Sequence, residues 1–322
     1  MVVLSSILPL ATIVLAVLWV VFSCLMAVGY RFARAHLLRL VPCQRSSALL
    51  IVSALPLGIG LAMTGTVFTP WIGDHLVATH CHGDLHCETH IPTLFGDAVT
   101  YASLGLAAML AAFVLFHIGQ VFSRAMRLRH KLGAIARGSR RDFQVIDSAE
   151  AFAFSLGLFR PTAFISQGLI DQTSRDELQV VSQHEQAHGR RRDNLWTLVA
   201  SICTLVFPAA MRIQLLGDLR MAAEQACDGQ AARVLADPLL VAQTLIKVQR
   251  LSRRLPNIVT CGFSHSHTAA RVTALLRPDG VQTGGWLVLS LLATSVGLII
   301  LGTNPLHHMV EAVLGWLQGA AG

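Results

Sequence analysis

The chain has 322 residues, of which 53% are hydrophobic and only 13% charged, with a formal net charge of +7. Soluble globular domains carry about a quarter charged residues, so this balance argues against an ordinary soluble enzyme. The basic charge has no aromatic interleaving or nucleic-acid module beside it, so direct nucleic-acid binding is not expected.

Four runs approach the roughly 20 apolar residues that a bilayer requires: Ile7–Gly29, Ala48–Pro70, Ala98–Phe122 and Trp286–Gly302. Pro56 is tolerable inside a packed membrane bundle. No Lys or Arg precedes Arg31, so the first run lacks the basic start of a cleaved signal peptide and is too long for one. Basic residues orient the spans. Loop 30–47 carries Arg31, Arg34, Arg39 and Arg45, whereas loop 71–97 and the tail after Gly302 carry no Lys or Arg. After the third run come Arg124, Arg127, Arg129, Lys131, Arg137, Arg140 and Arg141. The expected arrangement is a multi-pass protein of a bacterial-type inner (cell) membrane. Its N-terminus, loop 71–97 and tail lie outside, and residues 123–285 lie on the cytoplasmic side.

Loop 71–97 holds His75, His80, Cys81, His82, His86, Cys87 and His90. Placed outside, Cys81 and Cys87 sit in a disulfide-permissive compartment. The same loop suits a soft metal site for copper or zinc, or an unspecific polar cap. Those alternatives stay open.

Between Asp142 and Ser166 the pattern turns strand-like: Phe143–Ile146 alternates, and Thr162–Ser166 follows Pro161. A strand at the edge of a sheet can take up an extended peptide by backbone hydrogen bonds. Ala163, Phe164 and Ile165 are the candidate, and a plain structural strand is the alternative.

A helix is predicted from Ser174 to Gly189. Ser174 and Glu177 form an S-x-x-E capping box, Val180 and Val181 belong to an apolar stripe, and Gly189 is a plausible end. Inside it lies His184-Glu185-Gln186-Ala187-His188, an H-E-x-x-H pentapeptide. Positions i and i+4 share a helix face, so His184 and His188 can reach one zinc ion, with Glu185 beside them as general base. Two solvated surface histidines are the bland alternative. Catalytic zinc takes a third protein ligand and keeps a position for water. Glu224 is the candidate, on a second helical stretch where Asp228 lies one turn on. Such an outer carboxylate orients a zinc-bound imidazole. Cys227 is a candidate fourth ligand, with a buried small residue as its plainer reading.

The run Leu195–Met211 separates these halves. If it crossed the bilayer, Glu224 would lie roughly 30 Å from the histidines. The run has 17 residues, Pro208 interrupts it, and both flanks are basic: Arg190, Arg191 and Arg192 before, Arg212 and Arg220 after. It is therefore expected to be buried in the catalytic unit, or to dip into the membrane and return.

HEQAHGRRRD and the later LRMAAEQACD resemble the membrane-bound gluzincin peptidases of the BlaR/MecR type, cousins of the HtpX and CAAX-prenyl proteases. SLGLFRPTAFISQGLI upstream and FSHSHTAARVTALL downstream extend the resemblance to about residues 100–280. It implies one zinc per chain on His184, His188 and Glu224, with Glu185 as general base. His265, ahead of Arg271, matches a downstream histidine of the related proteases that polarises the oxyanion, although Ser264–His267 fits a polar loop equally. BlaR-type sensors carry a penicillin-binding domain after the last span. Only residues 303–322 follow Gly302, so direct β-lactam sensing is not expected.

The expected fold is mainly α and integral to the membrane. About four transmembrane helices accompany a cytoplasmic-face, zincin-like α+β metallopeptidase unit with a short sheet. Residues 1–122 form the membrane domain, 123–285 the peptidase domain, and 286–322 the last span and external tail. The expected activity is zinc-dependent endopeptidase cleavage of a protein or peptide substrate, a cytoplasmic repressor among the candidates. A non-catalytic membrane scaffold with a structural zinc site is the alternative.

Overall fold

The computed structural model describes residues 2–69, 76, 97–139, 143–252, 265–276 and 285–320. Loop 71–97, apart from residues 76 and 97, lies outside them, and so do its Cys81 and Cys87. Ten helices and a four-stranded sheet are found among the described residues.

Four helices are long and apolar enough to cross a membrane, with spans at Ile7–Leu37, Pro42–Phe68, Tyr101–Gln120 and Val288–Trp316. They overlap the four predicted runs. They belong to α1 (Val2–Leu37), α2 (Pro42–Phe68), α3 (Asp97–Ile135) and α10 (Trp286–Ala320). Proline opens α2 at its first turn, where its missing N–H costs nothing and its fixed φ suits a helix start. One end of α2 packs with α1 and α10 through Leu10, Val14, Leu18, Ile59, Met63, Val67, Leu306, Val310 and Leu314. The other end packs into the unit that carries the metal motifs. There Tyr30, Leu37, Ala48, Leu49 and Val52 bury against Ala200, Phe207, Met211, Leu215 and Leu219.

The sheet comprises β1 (Ala136–Ser139), β2 (Gln144–Ile146), β3 (Ala153–Leu156) and β4 (Thr162–Ser166), in the order β1-β2-β4-β3. β4 runs parallel to β2 and antiparallel to β3. This corrects the edge-strand expectation. Phe164 and Ile165 are paired on both sides and Ala163 on the β3 side, with Ala153 opposite Ile165, Phe154 opposite Phe164 and Ser155 opposite Ala163. The outer strand on that side is β3, which the sequence pattern did not reveal.

Ser166 caps α4 (Gln167–Gln172), its hydroxyl accepting from Leu169 N. Gly168 lets the chain close up: a Cβ there would meet Ala149 O at 2.1 Å. Ser174 and Glu177 form the predicted capping box at the start of α5 (Arg175–Arg191). The helix passes through Gly189 and ends at Arg192, whose left-handed φ of 54° also starts α6 (Asp193–Cys203).

The run 195–211 is divided between two helices. α6 has 11 residues, about 16 Å at 1.5 Å per residue, against the roughly 30 Å of a bilayer core. A turn at 204–208 reverses the chain into α7 (Ala209–Leu235). The carbonyls released at the end of α6 find donors. Thr204 Oγ1 donates to Ala200 O at 2.7 Å, Leu205 N to Ile202 O at 3.1 Å, Arg212 Nη2 to Ser201 O at 3.3 Å and Trp19 Nε1 to Cys203 O at 3.1 Å. α7 thereby returns alongside α5. α8 (Pro238–Ser252) packs on both, and α9 (His265–Leu276) packs on α7 and α8.

Candidate metal centre

α5 presents His184 and His188 one turn apart, and α7 brings Glu224 to face them. The two Nε2 atoms lie 3.1 Å apart. Glu224 Oε2 is 3.5 Å from His184 Nε2, and Oε1 is 3.6 Å from His188 Nε2. The imidazole planes are nearly perpendicular, at 82°. Tetrahedral ligands of zinc, each about 2.0–2.1 Å from the ion, stand about 3.3 Å from one another. This donor set, two imidazole nitrogens and one carboxylate oxygen, therefore fits a single zinc ion.

Behind each imidazole stands a carboxylate. Asp228 Oδ1 lies 2.9 Å from His184 Nδ1, and Asp193 Oδ2 lies 2.8 Å from His188 Nδ1. The hydrogen bond from Asp193 to His188 Nδ1 leaves Nε2 as that ring's ligand atom, and the Asp228 carboxylate stands against His184 Nδ1 at ion-pair distance. Asp228 was legible as the acid one turn beyond Glu224. Asp193 was missed, although HEQAHGRRRD ends on it. Only the left-handed break at Arg192 turns it back towards His188.

Arg271 closes the arrangement from α9. Its Nε and Nη2 donate to the two Asp228 oxygens, both at 2.7 Å, and its Nη1 lies 3.0 Å from Glu224 Oε2. Only 1% of Arg271 is exposed, and these buried carboxylates stand against its charge. Sequence reading used Arg271 only as a landmark. His265 begins the same helix, but its side chain lies outside the described residues, so no contact with the site is stated for it.

The electrostatics follow from burial and these pairs. Burial alone would lower the His184 pKa, but the Asp228 and Glu224 carboxylates outweigh it and push it up to about 10. A metal ion must displace that proton to bind. Burial works to raise Glu224, yet the His184 hydrogen bond and the Arg271 and His188 charges hold its carboxyl well below the usual range. Glu185, buried beside the pair, is shifted the other way: desolvation raises it, and the neighbouring cations only partly offset that.

Cys227 is not part of this cage. Its Sγ lies 3.4 Å from His188 Nδ1 and 3.4 Å from Asp193 Oδ2, behind the imidazole. Burial, reinforced by the Asp193 charge, pushes its thiol well up. His188, Asp193 and Cys227 also cluster closely enough for an ion. Arg191 already pairs with that Asp193, at 3.2 Å, and supplies the positive charge there.

No curated protein and no solved structure matches the chain. Residues 119–279, half of the sequence, match peptidase family M48, and on that span the chain belongs to this family of zinc metallopeptidases.

Proposed function

We propose that the chain is an integral membrane zinc endopeptidase. The observation that carries this reading is the convergence of His184, His188 and Glu224 around one point, with the buried Glu185 carboxylate adjacent. Zinc bound there supplies a Lewis acid for the scissile carbonyl and lowers the pKa of water from 15.7 to about 7. Glu185 accepts a proton at its carboxylate and returns it to the leaving amine. Burial raises its pKa. Asp228 and Asp193 keep the imidazoles aimed, and Arg271 fixes Asp228 and Glu224 together. β3 packs against α5, and Asn194 Nδ2 ties its end to α6 by donating to Ser155 O at 3.1 Å and Gly157 O at 3.3 Å. In this reading β3 offers the outer backbone edge for an extended substrate segment.

The four membrane-length helices and the family support placement in a membrane. The basic loops favour an active site on the cytoplasmic side. A protein substrate follows, and the likeness of HEQAHGRRRD and LRMAAEQACD to BlaR/MecR-type peptidases favours a cytoplasmic repressor. A closed structural zinc site is disfavoured because Cys227 faces Nδ1 rather than the cage.

The test compares membranes holding wild type or Glu185→Ala by mass spectrometry of released peptides. Peptides that accumulate only with wild type support the reading. Equal release from both overturns it. Replacing Cys81 and Cys87 then separates a sensor, which loses its response to a stimulus, from a housekeeping protease, which keeps its activity.

A further inference from the structure

The start of α2, where the chain turns from α1, reaches both halves of the cage, one through a single residue and the other through two. Arg45, buried in the first turns of α2, donates through Nη1 to Leu38 O at 2.9 Å and through Nη2 to Gln225 Oε1. Gln225 directly follows Glu224, and its Nε2 donates to Ala270 O at 3.0 Å, beside Arg271. This route runs to the carboxylate ligand. The other runs to an imidazole. Arg191 Nη2 donates to Ser46 Oγ at 2.8 Å, and its Nη1 lies 3.6 Å from Cys43 Sγ. The same guanidinium donates through Nε to Asp193 at 3.2 Å, and Asp193 holds His188 Nδ1.

These contacts join elements far apart in sequence. They cross from the start of a membrane-length helix to the end of α5 and the middle of α7. α1 adds a separate grip on α7, where Asp218 accepts from Tyr30 Oη at 2.6 Å and from Arg34 at 2.6 and 2.9 Å. α5 and α7 are therefore both held by the helix pair α1–α2, as well as by their own interface.

We propose that the α1–α2 turn sets the position of His188 relative to Glu224, with Arg45 and Arg191 as positioning residues of the metal cage. A shift of α2 against α1 then alters ligand geometry, and the membrane helices can govern the peptidase without touching substrate. The inference rests on the reading of His184, His188 and Glu224 as the metal ligands.

The test uses the purified full chain in detergent, loaded with cobalt(II) as a spectroscopic probe. Four proteins are compared: wild type, Arg45→Gln, Ser46→Ala and Lys247→Met. Ser46→Ala removes the hydrogen bond from Arg191 Nη2 to α2, leaving only the longer Cys43 contact there, and keeps the bond to Asp193. Lys247→Met breaks the pair with Glu177, at the opposite end of α5 from His188 and Arg191. Arg45→Gln and Ser46→Ala are expected to shift the cobalt absorption band and weaken metal affinity by about tenfold, the lower end of effects seen for partners of metal ligands. Lys247→Met is expected to lower the thermal midpoint with the band unmoved. If Arg45→Gln does not fold, Ser46→Ala decides alone. Band and affinity equal to wild type in a folded Ser46→Ala overturn the proposal and leave the zinc reading standing. A wild type that binds no cobalt removes both.

Discussion

Asp228 Oδ1 stands 2.9 Å from His184 Nδ1 and 2.7 Å from Arg271 Nη2, so one fully buried carboxylate serves both a metal-facing imidazole and a buried cation. Asp228→Asn keeps the shape and removes the charge. Loss of such a partner lowers metal affinity about 10- to 100-fold. It also leaves Arg271 under-compensated, and breaking a buried pair costs about 3–5 kcal/mol. Chelator competition and thermal unfolding on one preparation measure both effects. Unchanged affinity would remove Asp228 from its role.

Glu185→Gln is expected to leave metal content intact and reduce peptide cleavage by about 10²–10⁴, the range for a lost general acid–base group. Parallel zinc analysis and cleavage assays check the separation. A variant that loses zinc as well would make Glu185 a ligand or a structural group instead.

Glu177 gives a pH dependence remote from the metal. Burial raises its pKa, but the Lys247 hydrogen bond at 2.6 Å and the Ser174 backbone N–H outweigh it, and the net shift is downward. A carboxylate depressed in the folded state adds stability that is fully present above its unfolded value, about 4.3. That contribution is lost as pH falls through the lower folded value. Unfolding midpoints taken between about pH 6 and pH 3 should therefore fall more steeply for wild type than for Glu177→Gln, with Lys247 present in both. Parallel slopes would contradict this.

Gly168→Ala drives a methyl group into Ala149 O, 2.1 Å from the new carbon. The obstacle is backbone, so it cannot swing aside. Overpacking of this kind costs about 1–3 kcal/mol. Because α4 leads from β4 towards α5, the substitution should lower the melting temperature, read by thermal unfolding in detergent.

The hairpin α6–α7 returns the chain, so residues 190 and 220 should face one aqueous side. Arg190→Cys and Arg220→Cys, in a background without other exposed thiols, should react with a membrane-impermeant maleimide from the same face. Reaction from opposite faces would separate Glu224 from the histidines and end the metal reading. Trp19→Phe removes the donor to Cys203 O and should cost about 1–3 kcal/mol for the carbonyl left unsatisfied.

What could be read from sequence was local. His184 and His188 share a face because a helix repeats every 3.6 residues, and Ser174 with Glu177 announces its own capping box. Glu224 and Asp228 were legible by the same spacing once a third ligand was sought. The membrane-length helices were visible as apolar runs. What stayed hidden depends on contacts across the chain. Arg271 meets Asp228 from 43 positions away, and Arg45 meets Gln225 from 180. No periodicity encodes either meeting. β4 was mistaken for an edge because strand order is set by pairing, and β3 has four partly buried residues without clear alternation. Asp193 reaches His188 through one residue at positive φ, Arg192, a conformation its basic neighbours did not announce.

The central claim is an open, three-ligand zinc site with sulfur excluded. X-ray absorption at the zinc edge on the purified full chain tests it most directly. The account predicts about one zinc per chain surrounded by nitrogen and oxygen alone at about 2.0–2.2 Å, with the multiple-scattering pattern of two imidazoles. A sulfur scatterer at about 2.3 Å would contradict it, because Cys227 would then close the shell and leave no position for water.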